Sequence, residues 1–100
     1  MTDEDRYPVG DLQDVLAAIA DPVRLEMVRR LRRDGTPVAC AQLYSGISKS
    51  TASHHFKILR EAGITERNTI GGKVHQSLRL DEVERVYPGI LSSILAAQSA

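Results

Sequence analysis

The sequence predicts a mainly α-helical domain with one small β-hairpin, its elements in the order α-α-α-α-β-β-α. Apolar residues recur at helical spacing in three separate segments, two short helical segments meet at a tight glycine turn, and two strand-like segments flank Gly71-Gly72-Lys73.

Residues 1–10 are polar, include Pro8 and Gly10 and show no periodicity, so they read as a flexible N-terminal arm to a single domain over 11–98. Leu12, Val15, Leu16 and Ile19 then follow i, i+3, i+4, i+7 spacing, the stripe of a first helix. Asp21-Pro22 is an N-cap and N1 pair, and Asp34-Gly35 is a stop, which delimits a second helix. Its apolar arc is Val23, Met27, Val28 and Leu31. At 100° per residue Arg24 projects into that arc while Arg29, Arg30 and Arg33 point away, so Arg24 must be paired or reach a phosphate.

Beyond Thr36-Pro37, a short helix is expected over 39–44, ending at Ser45-Gly46, and Ser48 caps a fourth that runs to Ala62. Two short helices about a glycine turn suggest helix-turn-helix. Strands over 64–70 and 74–80 make a hairpin. Asp81 and Glu84 form a capping arrangement for a last helix with the stripe Val83, Val86, Tyr87, Ile90, Leu91 and Ile94, kinked at Pro88.

A chain of 100 residues, 42% apolar and 4% aromatic, makes one small soluble domain without room for a dinucleotide-binding sheet or a barrel. So small a core favours a partner subunit. Cys40 is the single cysteine, so neither an intramolecular disulfide nor a thiolate zinc cage is expected, which fits a reducing cytoplasm. The apolar run 15–20 is far short of the roughly 20 residues a membrane helix needs, and the first residues are acidic, so neither membrane insertion nor secretion is expected.

The net charge of zero conceals an asymmetry: residues 1–20 carry −4, 21–35 carry +2, 36–80 carry +4 and 81–100 carry −2. A basic middle between acidic ends is a candidate footprint for a polyanion. Within the fourth helix Ala52, His55, Phe56 and Leu59 share an inward face, and Ser50, Ser53, His54 and Lys57 share another. The second face is small, polar and basic, and the first acid of this helix is Glu61, which suits entry into a major groove. The candidate DNA contacts are Ser48, Lys49, Ser50, Thr51, Ser53, His54 and Lys57 here, with Arg67, Lys73 and His75 on the hairpin. His55 reads as a packed, hydrogen-bonded histidine beneath the helix.

Over residues 12–95 the chain resembles the winged helix-turn-helix repressors of the ArsR, or arsenic-type, family. The resemblance rests on Ala20-Asp-Pro-Val-Arg-Leu25, on Ser50-Thr-Ala-Ser-His-His-Phe-Lys-Ile-Leu-Arg-Glu-Ala-Gly63, and on the Gly71-Gly72-Lys73 wing. It implies a cytoplasmic homodimeric repressor acting on a pseudo-palindromic double-stranded operator. It also implies a dimer interface from the first and last helices, here Leu12, Val15, Leu16, Ile19, Tyr87, Ile90, Leu91 and Ile94. Thiolate metal sensors of that family carry Cys-x-Cys before the recognition helix. Aligned on Leu43, those positions are Ala39 and Ala41, with Cys40 between them. Residues 81–100 lack the histidines of the other familiar site, so neither metal nor any other cofactor is expected.

No enzyme is expected either. Gly46-Ile-Ser-Lys-Ser50 ends in serine where a nucleophile elbow needs glycine, and Arg67 and Val74 break the phosphate-loop pattern around Gly72-Lys73. A function of another class, a winged-helix module that binds a protein and not DNA, draws on the acidic ends and the neutral total.

Overall fold

The computed structural model describes residues 6–98. Asp11 caps α1 (Leu12–Ile19) by accepting the Asp14 N–H at 3.0 Å. Asp21 caps α2 (Pro22–Asp34), its Oδ1 accepting from the N–H of Val23 at 2.8 Å and of Arg24 at 3.2 Å. Burial opposes ionisation of Asp21, yet the two backbone donors and the nearby Arg24 charge hold its carboxyl below the usual range.

The helix expected over 39–44 is instead β1 (Val38–Ala39) followed by a single 3-10 turn (Cys40–Gln42). Val38 lies opposite Gln76 and Ala39 opposite His75, so cross-strand pairing captures a segment too short to sustain a helix alone. Ser48 caps α3 (Lys49–Glu61) as expected. The hairpin comprises β2 (Thr65–Ile70) and β3 (Lys73–Leu78) in antiparallel register, giving a sheet ordered β1-β3-β2. Pairing of Ile70 with Lys73 leaves Gly71 and Gly72 as a two-residue turn with φ of +58° and +78°, the hand that matches strand twist.

The last helix is not one kinked rod but two helices, α4 (Leu80–Val86) and α5 (Ile90–Gln98). Pro88 supplies no N–H to carry α4 onward. The Asp81–Glu84 capping arrangement is also corrected, because α4 follows Arg79 with no side-chain cap. Glu84 serves α5 instead: Oε1 accepts from Gly89 N–H at 2.7 Å, and Oε2 from Leu91 at 3.0 Å and Ser92 at 3.3 Å. The Gly89 bond leads these in holding the Glu84 carboxyl below its ordinary range.

The core lies where the helices meet the sheet. Val15 and Ile19 of α1, Met27, Val28 and Leu31 of α2, and Ala52, Phe56 and Leu59 of α3 are buried there with Ile64, Val83 and Leu91. The end of α3 is fixed by two bonds, Gly63 N–H to Arg60 C=O at 3.0 Å and Ile64 N–H to Leu59 C=O at 3.1 Å, a Schellman closure. Gly63 sits at φ +79°, and any Cβ there would strike the Pro8 carbonyl and Val9 Cα.

Residues 1–5 of the expected N-terminal arm lie outside the described residues, and residues 6–10 run against the folded body. Gly10 N–H donates to Ala62 C=O at 2.9 Å, and Tyr87 O–H donates to Gly10 C=O at 2.8 Å. The Arg79 guanidinium donates to Tyr7 C=O, and Arg6 pairs with Glu66 and Glu82. Absence of periodicity marked residues 6–10 as non-helical; the Gly10 N–H and the Tyr7 and Gly10 carbonyls are nonetheless bonded to the folded body.

Candidate nucleic-acid interface

The polar face of α3 is built from its cap outward. Ser48 Oγ accepts the Thr51 N–H at 3.1 Å and lies 2.9 Å from Thr51 Oγ1 and 3.2 Å from Ser50 Oγ. The Ser48 and Thr51 hydroxyls therefore order the helix start and, with Lys49 and Ser50, remain exposed. Ser53, His54 and Lys57 continue the same exposed surface. Lys57 Nζ is 3.9 Å from Glu61 Oε2, an exposed i,i+4 pair that leaves the ammonium available to a phosphate.

The opposite face packs as the periodicity predicts. Ala52, Phe56 and Leu59 are buried, with Phe56 edge-on to Tyr44 at a centroid distance of 6.1 Å. His55 is half-buried beneath the helix, and its Nδ1 accepts from an Arg24 guanidinium N–H at 3.0 Å. Arg24 also donates to Ala18 C=O at 2.6 Å and Ala17 C=O at 3.3 Å. Of the two fates open to Arg24, pairing is the one realised.

Between α3, the 3-10 turn and the wing lies a cleft of 630 Å³. Lys49 and Lys57 line it from the helix, and Arg67 and Lys73 from the wing, together with Arg60. Among the described residues no carboxylate lines it. Arg60 was not singled out in the sequence, although Lys49, Ser53, Lys57 and Arg60 fall on one helical stripe, the signal that could have found it. His75 is not brought to this group: it alternates with Gln76 along β3 and pairs with Asn68, whereas Arg67 pairs with Gln76. Its Nδ1 is 3.0 Å from Lys73 C=O. Cys40 borders the cleft, with its thiol pushed up by burial.

The proposed dimer residues divide. Val15, Ile19 and Leu91 belong to the protomer core, whereas Leu12 and Leu16 are 46% and 42% exposed. Tyr87, Ile90 and Ile94 are half-buried. A stripe at i, i+3, i+4, i+7 is wider than the contact with one neighbour, and periodicity does not reveal which part faces inside.

The expected thiolate positions, Ala39 and Ala41, offer methyl groups. Among the described residues no group of three or more His, Cys, Asp or Glu side chains stands close enough to hold a metal ion. Nor, among them, is any helix long and apolar enough to cross a membrane.

A capped helix whose exposed polar face carries its first acid only at Glu61, set beside a glycine-tipped hairpin on a helical base, defines the winged helix-turn-helix class. Residues 19–68 match the family model described as a helix-turn-helix domain. The chain is 35% identical over 82 residues to the uncharacterized HTH-type transcriptional regulator YceK of Bacillus subtilis, covering 80% of this chain and 82% of YceK. It is 29% identical over 76 residues to the transcriptional repressor SmtB homolog of Synechocystis, covering 76% of this chain and 58% of that protein. Among solved structures it is similar to the ArsR family transcriptional regulator RHA00566, with a TM-score of 0.66, 21% identity and coverage of 88% and 91%. It is also similar to the transcriptional repressor BigR from Xylella fastidiosa, with a TM-score of 0.61, 24% identity and coverage of 79% and 82%. The chain belongs to the ArsR family of winged helix-turn-helix transcriptional regulators, a family of DNA-binding proteins and not of enzymes.

Proposed function

We propose that the protein is a homodimeric repressor that occupies a pseudo-palindromic operator and whose release does not depend on a metal. The observation that carries this is the continuity of the exposed Ser50–Ser53–His54–Lys57 face of α3 with Arg67 and Lys73 of the wing. Helix α3 enters the major groove, where His54 meets a base edge, serine hydroxyls meet base edges or phosphates, and Lys73 tracks the adjacent backbone. Two such helices about a two-fold axis reach successive major grooves roughly 34 Å apart. Repression is supported by the SmtB homolog and BigR, each named a transcriptional repressor. Pairing through α1 and α5 is supported by the exposed Leu12 and Leu16 and the half-buried Ile90 and Ile94. The absence of thiolates at Ala39 and Ala41 supports indifference to metal.

The test is fluorescence anisotropy of the metal-free protein on the duplex upstream of its own coding region, against scrambled DNA, at several salt concentrations and with zinc. Selective, salt-sensitive and zinc-indifferent binding is expected. Equal weak affinity for both duplexes at every salt concentration would favour a protein-binding module, and zinc-induced release would overturn the metal argument.

A further inference from the structure

The cleft between α3 and the wing is large enough to hold a small molecule. Its 630 Å³ falls within the roughly 300–1,000 Å³ of small-molecule sites. The walls are apolar, supplied by Tyr44, Phe56 and Val74. Cationic side chains surround them, with Lys57 and Arg60 from α3 facing Arg67 and Lys73 from the wing.

Gln76 also lines the cleft and is only 1% exposed. Its Nε2 donates weakly to Cys40 Sγ at 3.6 Å, and its Oε1 has no hydrogen-bond partner among the described residues. Rotating the amide would only exchange which of its two polar atoms is left over. A buried amide with an unmet valence is costly in a native fold unless something enters to satisfy it. A DNA phosphodiester carries no donor and rides on the outside of the duplex, so it cannot serve an amide buried to this depth.

We propose that this cleft binds a small organic anion with an apolar body, a carboxylate at one end and a hydroxyl at the other. The carboxylate sits among the cations, the body lies against Phe56 and Tyr44, and the hydroxyl meets the Gln76 amide, for which it can act as donor or acceptor. Lys57, Arg67 and Lys73 are also the phosphate-binding groups of the proposed operator complex, so anion and DNA compete. That second clause rests on the DNA-binding reading; occupancy of the cleft does not.

The experiment is a 1H–15N NMR titration of the full chain without DNA, using para-hydroxyphenylpropionate, phenylpropionate and para-hydroxyphenylpropanol. The hydroxy acid is expected to shift the amides around Gln76, Cys40 and Phe56, and to bind about tenfold more tightly than the acid lacking the hydroxyl. The neutral alcohol should cause no localised shifts. Gln76→Leu should bring the two acids to equal affinity, and the comparison among the three probes on the unaltered chain stands even if that variant fails to fold. Shifts scattered over the surface, equal affinity for the two acids on the unaltered chain, or no localised response to either acid at millimolar concentration would overturn the proposal. Localised shifts from a protein that ignores the duplex would uphold the pocket and reject the operator reading alone. In the presence of bound duplex, saturating hydroxy acid should lower DNA affinity by the same factor that DNA lowers affinity for the acid.

Discussion

Arg24 reaches from the first turn of α2 to His55 in the middle of the recognition helix, its guanidinium donating to Nδ1 at 3.0 Å. The same guanidinium donates to Ala18 C=O at 2.6 Å, so a single side chain joins α1, α2 and α3. Charge-assisted hydrogen bonds contribute about 1.5–3 kcal/mol each when partly buried. Arg24→Met keeps the apolar stem and removes these donors, and is expected to cost about 2–4 kcal/mol in urea unfolding. A double-mutant cycle with His55→Ala should show coupling of at least about 0.5 kcal/mol. Additive losses would mean that the Arg24–His55 bond does not help to orient α3.

A pH dependence follows from the Arg79–Glu82 pair. The Arg79 side chain is 4% exposed, and its Nε and terminal N–H groups donate to Glu82 Oε1 at 2.9 Å and Oε2 at 3.1 Å. Chiefly through that bond, with burial opposing and Arg6 assisting, the Glu82 carboxyl is lowered from 4.5 to about 2. Because the folded value lies below the unfolded one, this stabilisation is complete above about pH 4.5 and fades as pH falls toward 2. The thermal midpoint of the unaltered protein should drop across that window, and Glu82→Gln should start lower and decline less. Parallel pH profiles for the two proteins would exclude Glu82 as a source of acid sensitivity.

The contact between Gly63 and residues 8–9 gives a third expectation. Gly63→Ala places a Cβ on a residue at φ +79° and drives it into the Pro8 carbonyl and Val9 Cα. The left-handed backbone alone costs about 1–2 kcal/mol, and the collision should release the N-terminal segment. Hydrogen exchange at the Gly10 amide, bonded to Ala62 C=O, should accelerate more than exchange in α2. Unchanged Gly10 protection would show that the segment holds without this approach.

What could be read beforehand followed the strength of the local signal. Asp21-Pro22, Ser48 and Gly71-Gly72 carry their own capping and turn chemistry, and the structure places α2, α3 and the wing where those residues predict them. The fates of Val38-Ala39 and of Glu84 depend on partners distant in sequence or across a break, β3 in the first instance and the start of α5 in the second. The cleft is not legible in the sequence for the same reason. Gln76 in a strand pattern is one polar residue among several, and only tertiary packing buries it beside Cys40 and opposite α3.

The proposed dimer seam can be tested where the apolar stripe leaves the protomer core. Leu16 is 42% exposed and Ile19 is 5% exposed, one turn apart in sequence but different in consequence. Leu16→Glu should leave the fold intact, since water already reaches that position, and should convert dimer to monomer in sedimentation equilibrium. Ile19→Glu should instead unfold the protomer by burying an unpaired charge. A dimer that survives Leu16→Glu with its affinity intact would move the interface away from this part of α1.

In the proposed operator complex, Lys57 separates phosphate contact from stability. Its pair with Glu61 is exposed and 3.9 Å long, so Lys57→Ala should alter folding stability by no more than about 0.5 kcal/mol. On DNA, loss of one phosphate-neutralising cation should weaken binding to all sequences alike and reduce the slope of log affinity against log salt by about 1. His54→Ala is expected to behave differently, lowering the preference for operator over scrambled duplex while changing the salt slope little, because a base-edge contact releases no counterion. Measured by anisotropy across a salt series, the two variants should therefore diverge, Lys57→Ala in slope and His54→Ala in selectivity. Identical slopes for Lys57→Ala and the unaltered protein would remove Lys57 from the contact surface and shift the footprint toward Arg67 and Lys73 on the wing.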